Sequence, residues 1–288
     1  MGQRFLALLV TASLLAVAPA QAKPVKLWEA TGLETPESAL PDGAANVLYV
    51  SNVSGGPQDK DGNGFISKLS LDGKVVTLKW VTGLDAPKGL ALAAGKLYAA
   101  DIDRLVEIDV KDGKILNSYP AADAKFLNDV AADAQGRIYV SDMFTNKIWR
   151  LANGRFETWL ESKDLNAPNG LLVQGDSLIV AAWGVMAEKD KPGVPASLLK
   201  VSLGDKSVAP LGDGTKVGNL DGIEPFGTSS YLVTDWVAGA LYSIETSGKA
   251  VQLLDFNQGS ADLAYDAVSK TAYIPLMMDN RLEAYKIE

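Results

Sequence analysis

The residues of this chain whose types and spacing could do chemistry are Glu37, Asn128, Asn169 and Asp221. Two carboxylates and two carboxamide oxygens make an oxygen-only donor set. That set suits a hard cation: calcium takes about six to eight oxygens at roughly 2.3–2.6 Å, with water filling open positions. The two negative charges would offset a divalent ion. The rest of the sequence narrows the chemistry, because it contains 0 His and 0 Cys. Histidine-based triads, thiolate catalysis, Cys- or His-ligated zinc and iron–sulfur clusters are thereby excluded. Acid–base work falls to carboxylates, Lys, Tyr or a metal-bound water. For ester-type hydrolysis a divalent ion polarises the carbonyl and acidifies water. A carboxylate must then be the base, with Asp221 the first candidate and Asp129 the second. A carboxylate that also ligates a metal is a weak base, since the cation draws its pKa down.

These side chains come together only if the fold repeats. One strand pattern recurs six times, around Tyr49, Tyr98, Tyr139, Ile179, Leu232 and Tyr273. A spacing near 40 residues, with short segments of period two rich in Val, Ile and Tyr, predicts an all-β, six-bladed β-propeller with four antiparallel strands per blade. A second strand follows each first one, at 65–69, 105–110, 148–151, 198–201, 241–244 and 282–285. Outer strands such as 75–81 and 156–160 come after Gly-containing turns. The last repeat supplies three strands. Residues 25–30 are expected to add its outer strand and close the ring, which removes free edges.

Aligned on this repeat, a short turn precedes each innermost strand: Pro36-Glu37-Ser38, Pro87-Lys88-Gly89, Leu127-Asn128-Asp129, Pro168-Asn169-Gly170, Leu220-Asp221-Gly222 and Ser260-Ala261-Asp262. The middle residues occupy one structural position in six blades, so they converge on the axis. Turn preference alone accounts for Asn-Gly and Asp-Gly pairs. It does not account for Glu37, a weak turn former, at the same position. Lys88 also belongs to this ring, where its ammonium would compete with a cation; a solvated Lys, a partner for Glu37 and a receptor for an anionic substrate are the three readings.

Three long segments, 52–64, 183–195 and 212–219, are expected on the face where the ring opens, with Trp183 and Trp236 as apolar walls. Asp101, Asp142 and Asp235 end the second strands and read as turn caps. Residues 59–66, Asp-Lys-Asp-Gly-Asn-Gly-Phe-Ile, match the start of an EF-hand loop, but position 12 is Ser70 and the flanks are β. That segment reads as a polar hairpin or as a weak second calcium site.

Arg4, the apolar run 5–17 and Ala20-Gln21-Ala22 read as a signal peptide over 1–22, cleaved before Lys23. The remaining residues, 23–288, form a single propeller domain, exported to the periplasm or secreted. A net charge of −8 argues against nucleic acid as a partner. No phosphate-binding glycine motif is present. The expected partner is a small-molecule substrate, with no membrane span.

The Glu, Asn, Asn and Asp ring, its Pro-Asn-Gly and Leu-Asp-Gly contexts, and Asn128-Asp129 followed by Gly136-Arg137-Ile138-Tyr139 resemble the gluconolactonase/senescence-marker/luciferin-regenerating family, and more distantly the paraoxonases. The resemblance spans residues 23–288. It implies a six-bladed propeller with calcium or another divalent ion at the axis and, in many members, lactonase activity. It implies that Glu37, Asn169 and Asp221 are metal ligands and that Asn128 is a ligand or touches substrate. The chain departs from the pattern at Phe126, where sugar-lactone members place an Arg, and it lacks the His pair of paraoxonases. A non-catalytic binding propeller and a metal-free condensing propeller are the alternative functions; the oxygen-rich ring argues against the second.

Overall fold

The computed structural model describes residues 23–189 and 191–288; the expected signal peptide lies outside the described residues. Six four-stranded antiparallel sheets stand around one axis. The first blade runs β2 (Pro36–Asp42), β3 (Val47–Asn52), β4 (Gly64–Ser70) and β5 (Val75–Leu84) from the axis outward, and the second β6 (Pro87–Ala93), β7 (Lys96–Asp101), β8 (Arg104–Asp109) and β9 (Ile115–Pro120). The third is β10 (Leu127–Ala132), β11 (Ile138–Asp142), β12 (Lys147–Ala152) and β13 (Arg155–Glu161). The fourth is β14 (Pro168–Gln174), β15 (Ser177–Ala182), β16 (Leu198–Ser202) and β17 (Val208–Pro210). The fifth is β18 (Leu220–Phe226), β19 (Ser230–Asp235), β20 (Ala240–Glu245) and β21 (Ala250–Asp255). The sixth is β22 (Ala264–Asp266), β23 (Thr271–Leu276), β24 (Arg281–Lys286) and, on its outside, β1 (Val25–Thr31). No described helix is long and apolar enough to cross a membrane.

The second strand of each blade is buried on both faces, because sheets pack against sheets on either side. Tyr49, Leu97, Tyr139, Leu178 and Leu232 are sealed between blades. One such cluster joins Tyr98 and Leu105 of the second blade to Leu127, Val140 and Trp149 of the third. The outer strands are half-buried or exposed along most of their length, as in β13 and β21.

The ring closes through β1, which pairs with β24 from Val25 opposite Lys286 to Thr31 opposite Arg281. Trp28 packs on Tyr273 at 5.9 Å, and Lys26 reaches the buried Glu283 carboxylate at 2.7 Å. Deleting residues 23–31 should therefore cost cooperative folding, since it strips a strand and bares the edge of β24. A truncated chain that melts in one sharp transition at the full-length temperature contradicts the closure.

Candidate functional site

In five blades the triplet read as a turn before the innermost strand lies within that strand, while Ser260-Ala261-Asp262 does precede β22. Pro36, Pro87, Leu127, Pro168 and Leu220 open strands β2, β6, β10, β14 and β18, so Glu37, Lys88, Asn128, Asn169 and Asp221 are the second residues of strands. In each of these five blades the register breaks at this point: Pro36 faces Asn52 but Ala39 faces Val50, and Leu220 faces Asp235 but Ile223 faces Val233. Two residues on the inner strand, such as Glu37 and Ser38, oppose one on its neighbour, Ser51, which is a bulge. A bulge bends the strand and re-aims a side chain. Here the same device recurs around the axis.

The backbone groups freed by the bulge are recaptured locally. Ser51, Ser141 and Thr234 hydroxyls accept from the N–H groups of Ser38, Asp129 and Gly222 at 2.9 Å. The Ser141 and Thr234 hydroxyls also donate to the Asn169 and Ala261 carbonyls of the next blade, at 2.7 and 2.9 Å. The glycines that suggested turns serve a different purpose. A Cβ at Gly170 would collide with the Asp221 carbonyl oxygen, and one at Gly89 with Asp129. Glycine is required because neighbouring inner strands approach too closely for a side chain.

The chemistry-bearing side chains are stacked along the axis. Glu37, Lys88, Asn128 and Asp221 form the floor of a cavity of about 260 Å3. Asn169 lies fully buried beside them: its Oδ1 accepts from Asn128 Nδ2, and its own Nδ2 donates to the Leu220 carbonyl at 3.1 Å. Both described hydrogen bonds of Asn128 use Nδ2, the second reaching Met143 Sδ at 3.8 Å. Beneath this ring, Ser38 donates to the Asp262 carboxylate at 2.6 Å, and the Asp262 N–H donates to the Glu37 carbonyl at 2.9 Å.

Asp129, the second candidate base, does not line the cavity. It sits one position lower, where its carboxylate accepts from the Val130 N–H at 2.6 Å and the Leu171 N–H at 2.5 Å. Both oxygens hold backbone, joining the third and fourth blades.

The electrostatics of the ring are those of carboxyls held out of water. Burial first, then the nearby Asp221 and Asp262 charges, push the Glu37 carboxyl well above its usual range, while Lys88 acts in the opposite sense. Burial and Asp262 push Asp221 up as well, opposed by a hydrogen bond from Asn169. Glu37 Oε2 is buried without a hydrogen-bond partner. A buried acceptor of this kind is costly unless something completes it, and a hard cation beside Glu37, Asn128, Asn169 and Asp221 would do so. Among the described residues no cluster of three or more carboxylates alone could hold a metal, so the amides would be required.

Lys88 is not solvated. It is 1% exposed, and its ammonium donates to the Pro57 and Ala86 carbonyls at 2.9 Å each, 4.6 Å from the centre of the Phe126 ring. Burial draws its pKa down to about 8, against the pull of Glu37 and Asp101. A fixed positive charge on the same floor opposes a second cation. Lys88→Met should therefore tighten calcium binding on the order of tenfold, the size of a single screened charge repulsion. Calorimetric titration measures it; unchanged or weakened affinity means that Lys88 does not act on the ring by charge.

The cavity walls rise from the long loops. Pro57 and Gln58 come from the β3–β4 connection, Trp183 and Met186 from the β15–β16 connection, and Trp236 from the end of β19. Segment 212–219 does not reach the lining. Met143, Phe144 and Met277 complete the walls and were missed from sequence. The signal was present: the residue after each second strand is apolar in all six blades, namely Val53, Ile102, Met143, Trp183, Trp236 and Met277. Asp101 and Asp142 cap the preceding loops, accepting from Asp85 and Ala86 and from Lys125 and Phe126, while Asp235 caps its own turn. In the EF-hand-like loop, Asp59 accepts from Gly56 N–H and Asp61 from Asn63, forming a hydrogen-bonded hairpin loop.

No family model and no curated protein sequence matches the chain. Solved structures do share its fold. A gluconolactonase from Xanthomonas campestris superposes with a TM-score of 0.68 at 14% identity, covering 92% of this chain and 89% of that one. A gluconolactonase candidate gives 0.68 at 17% identity, covering 94% and 93%. A virginiamycin B lyase from Staphylococcus aureus, solved with quinupristin, gives 0.62 at 12% identity, covering 92% and 99%. One propeller architecture thus carries a lactonase and a lyase, so the likeness shows the fold of this chain alone.

Proposed function

We propose that the chain is an exported hydrolase of lactones or related esters that works with a divalent cation, calcium first, at the propeller axis. The observation carrying this reading is the cavity floor, where Glu37, Asn128 and Asp221 stand with Asn169 behind them and Glu37 Oε2 lacks a partner. Glu37, Asn128, Asn169 and Asp221 would hold the ion; when bound, it polarises the substrate carbonyl and makes water a better nucleophile. Asp221 takes the proton of the attacking water on its carboxylate and returns it to the leaving alkoxide oxygen as the acyl C–O bond breaks, which leaves a hydroxy acid. Asn128 would turn its Oδ1 to the ion, its Nδ2 being held by Asn169 and Met143. Trp183, Trp236, Phe126 and Phe144 exclude bulk water from the floor. Lactones are reactive enough for so weak a base, whereas amides and phosphodiesters are not.

The structural likeness to a gluconolactonase is consistent with this reading, while the likeness to a lyase keeps the test open. A second reading, a non-catalytic binding propeller, is favoured by Lys88 in the ring and by Phe126 where sugar-lactone relatives carry Arg. Metal analysis of the purified protein, paired with a lactone panel followed by proton release, separates them. A bound divalent ion with turnover supports the hydrolase; a bound ion with no turnover on any lactone or ester supports the binder. Export is tested by sequencing the amino terminus of the protein in the periplasmic fraction, where Lys23 is the expected first residue.

A further inference from the structure

We propose that the site takes an apolar lactone or ester, one carrying an alkyl or aryl substituent, and discriminates against polyhydroxylated ones. This rests on the reading of the cavity floor as the reacting end, and it is carried by the walls. Phe126 and Phe144 stack with ring centres 4.4 Å apart and planes 20° from parallel, and Trp183 and Trp236 meet at 5.8 Å. Met143, Met186 and Met277 line the same cavity with their thioethers. Three of the polar groups on the lining are already committed. The Trp236 indole N–H donates to Met277 Sδ at 3.4 Å, Gln58 Nε2 to the Lys125 carbonyl at 3.4 Å, and the Lys88 ammonium to two backbone carbonyls.

A ligand with a hydroxyl on every carbon would leave water and find few partners above the floor, which is unfavourable for each hydroxyl. An alkyl or aryl group would instead gain aromatic and thioether contacts. The cavity, about 260 Å3, lies just below the range of drug-sized pockets, roughly 300–1,000 Å3. It therefore suits one ring with a short substituent.

The test uses the intact protein with calcium, the γ-lactone series from γ-butyrolactone to γ-nonalactone, and glucono-δ-lactone. The non-hydrolysable ether 2-pentyltetrahydrofuran serves as a binding probe read by tryptophan fluorescence, because Trp183 and Trp236 line the site. We expect kcat/KM to rise about three- to fourfold per methylene until the cavity is full, the worth of a buried methylene. The ether should bind while glucono-δ-lactone is a poor substrate, and Phe144→Ser should flatten the chain-length slope. A flat series, or preference for glucono-δ-lactone, overturns the proposal and leaves the hydrolase reading standing. Binding of the ether with turnover of no lactone supports the apolar ligand class and removes the hydrolase. Neither binding nor a chain-length dependence overturns the ligand class outright.

Discussion

Asp221→Asn is expected to lower lactone turnover by about a thousandfold, within the 10²–10⁴ that a positioned general base contributes, and excess calcium should not restore it. The substitution keeps an oxygen at the end of the same side chain, at the second position of β18, but removes both a ligand charge and the proton acceptor. High calcium refills the site by mass action. It cannot replace an interaction that matters only in the transition state. Glu37→Gln is the control, because it too exchanges a carboxylate for an amide on the same cavity floor. Glu37→Gln should raise the calcium concentration needed for half-maximal rate while leaving the rate at saturation close to wild type. The contrast between the two variants separates ligand from base. Full rescue of Asp221→Asn by calcium reduces Asp221 to a ligand. The base would then have to be sought elsewhere, and Asp129 is poorly placed for it, with both carboxylate oxygens bonded to backbone N–H groups outside the cavity.

The second large effect is on stability. Calcium at a thousandfold excess over its Kd should stabilise the folded state by about 4 kcal/mol, since the unfolded chain has no assembled ring to bind it. For a domain of this size, about 2–4 °C per kcal/mol implies a rise in Tm on the order of 10 °C over chelator-treated protein. Asp221→Ala should abolish most of that rise. Asp59→Ala should keep most of it, because Asp59 belongs to the exposed β3–β4 loop, where it holds the Gly56 N–H. The reverse pattern, with the shift lost in Asp59→Ala and kept in Asp221→Ala, moves the calcium site from the axis to that loop.

The propeller was legible because its strongest signal is local and repeated. A second strand sealed between two neighbouring sheets must be apolar on both faces, and runs such as 138–142 and 231–235 show that six times. The outer strand of the sixth blade was legible for the same reason, since β24 would otherwise end the sheet unpaired. The ring residues could be aligned because each precedes the repeat position of its second strand by 10 to 12 residues, the difference being taken up in the intervening turn. Their backbone setting was misread as a turn: Pro168-Asn169-Gly170 has turn composition, but its glycine answers crowding at the axis, which only the assembled ring creates. Sequence put Asn128 in the ring but could not tell that Asp129, its neighbour in β10, stays out of the cavity. The bulge sends one to the cavity floor and the other beneath it. Lys88 was ambiguous because its partners, the Pro57 and Ala86 carbonyls, are backbone groups invisible in side-chain patterns. The apolar residue after each second strand was readable in principle, but only once the ends of those strands were known.

The most direct measurement of the central claim is the rate of proton release from γ-nonalactone by the purified protein as free calcium is varied from chelator-clamped zero to saturation. The account predicts a rate that is near background without calcium, rises along a single saturating curve, and stays near background at every calcium concentration in Asp221→Asn. Undiminished turnover under chelator, or a rate equal to wild type in Asp221→Asn, would contradict it.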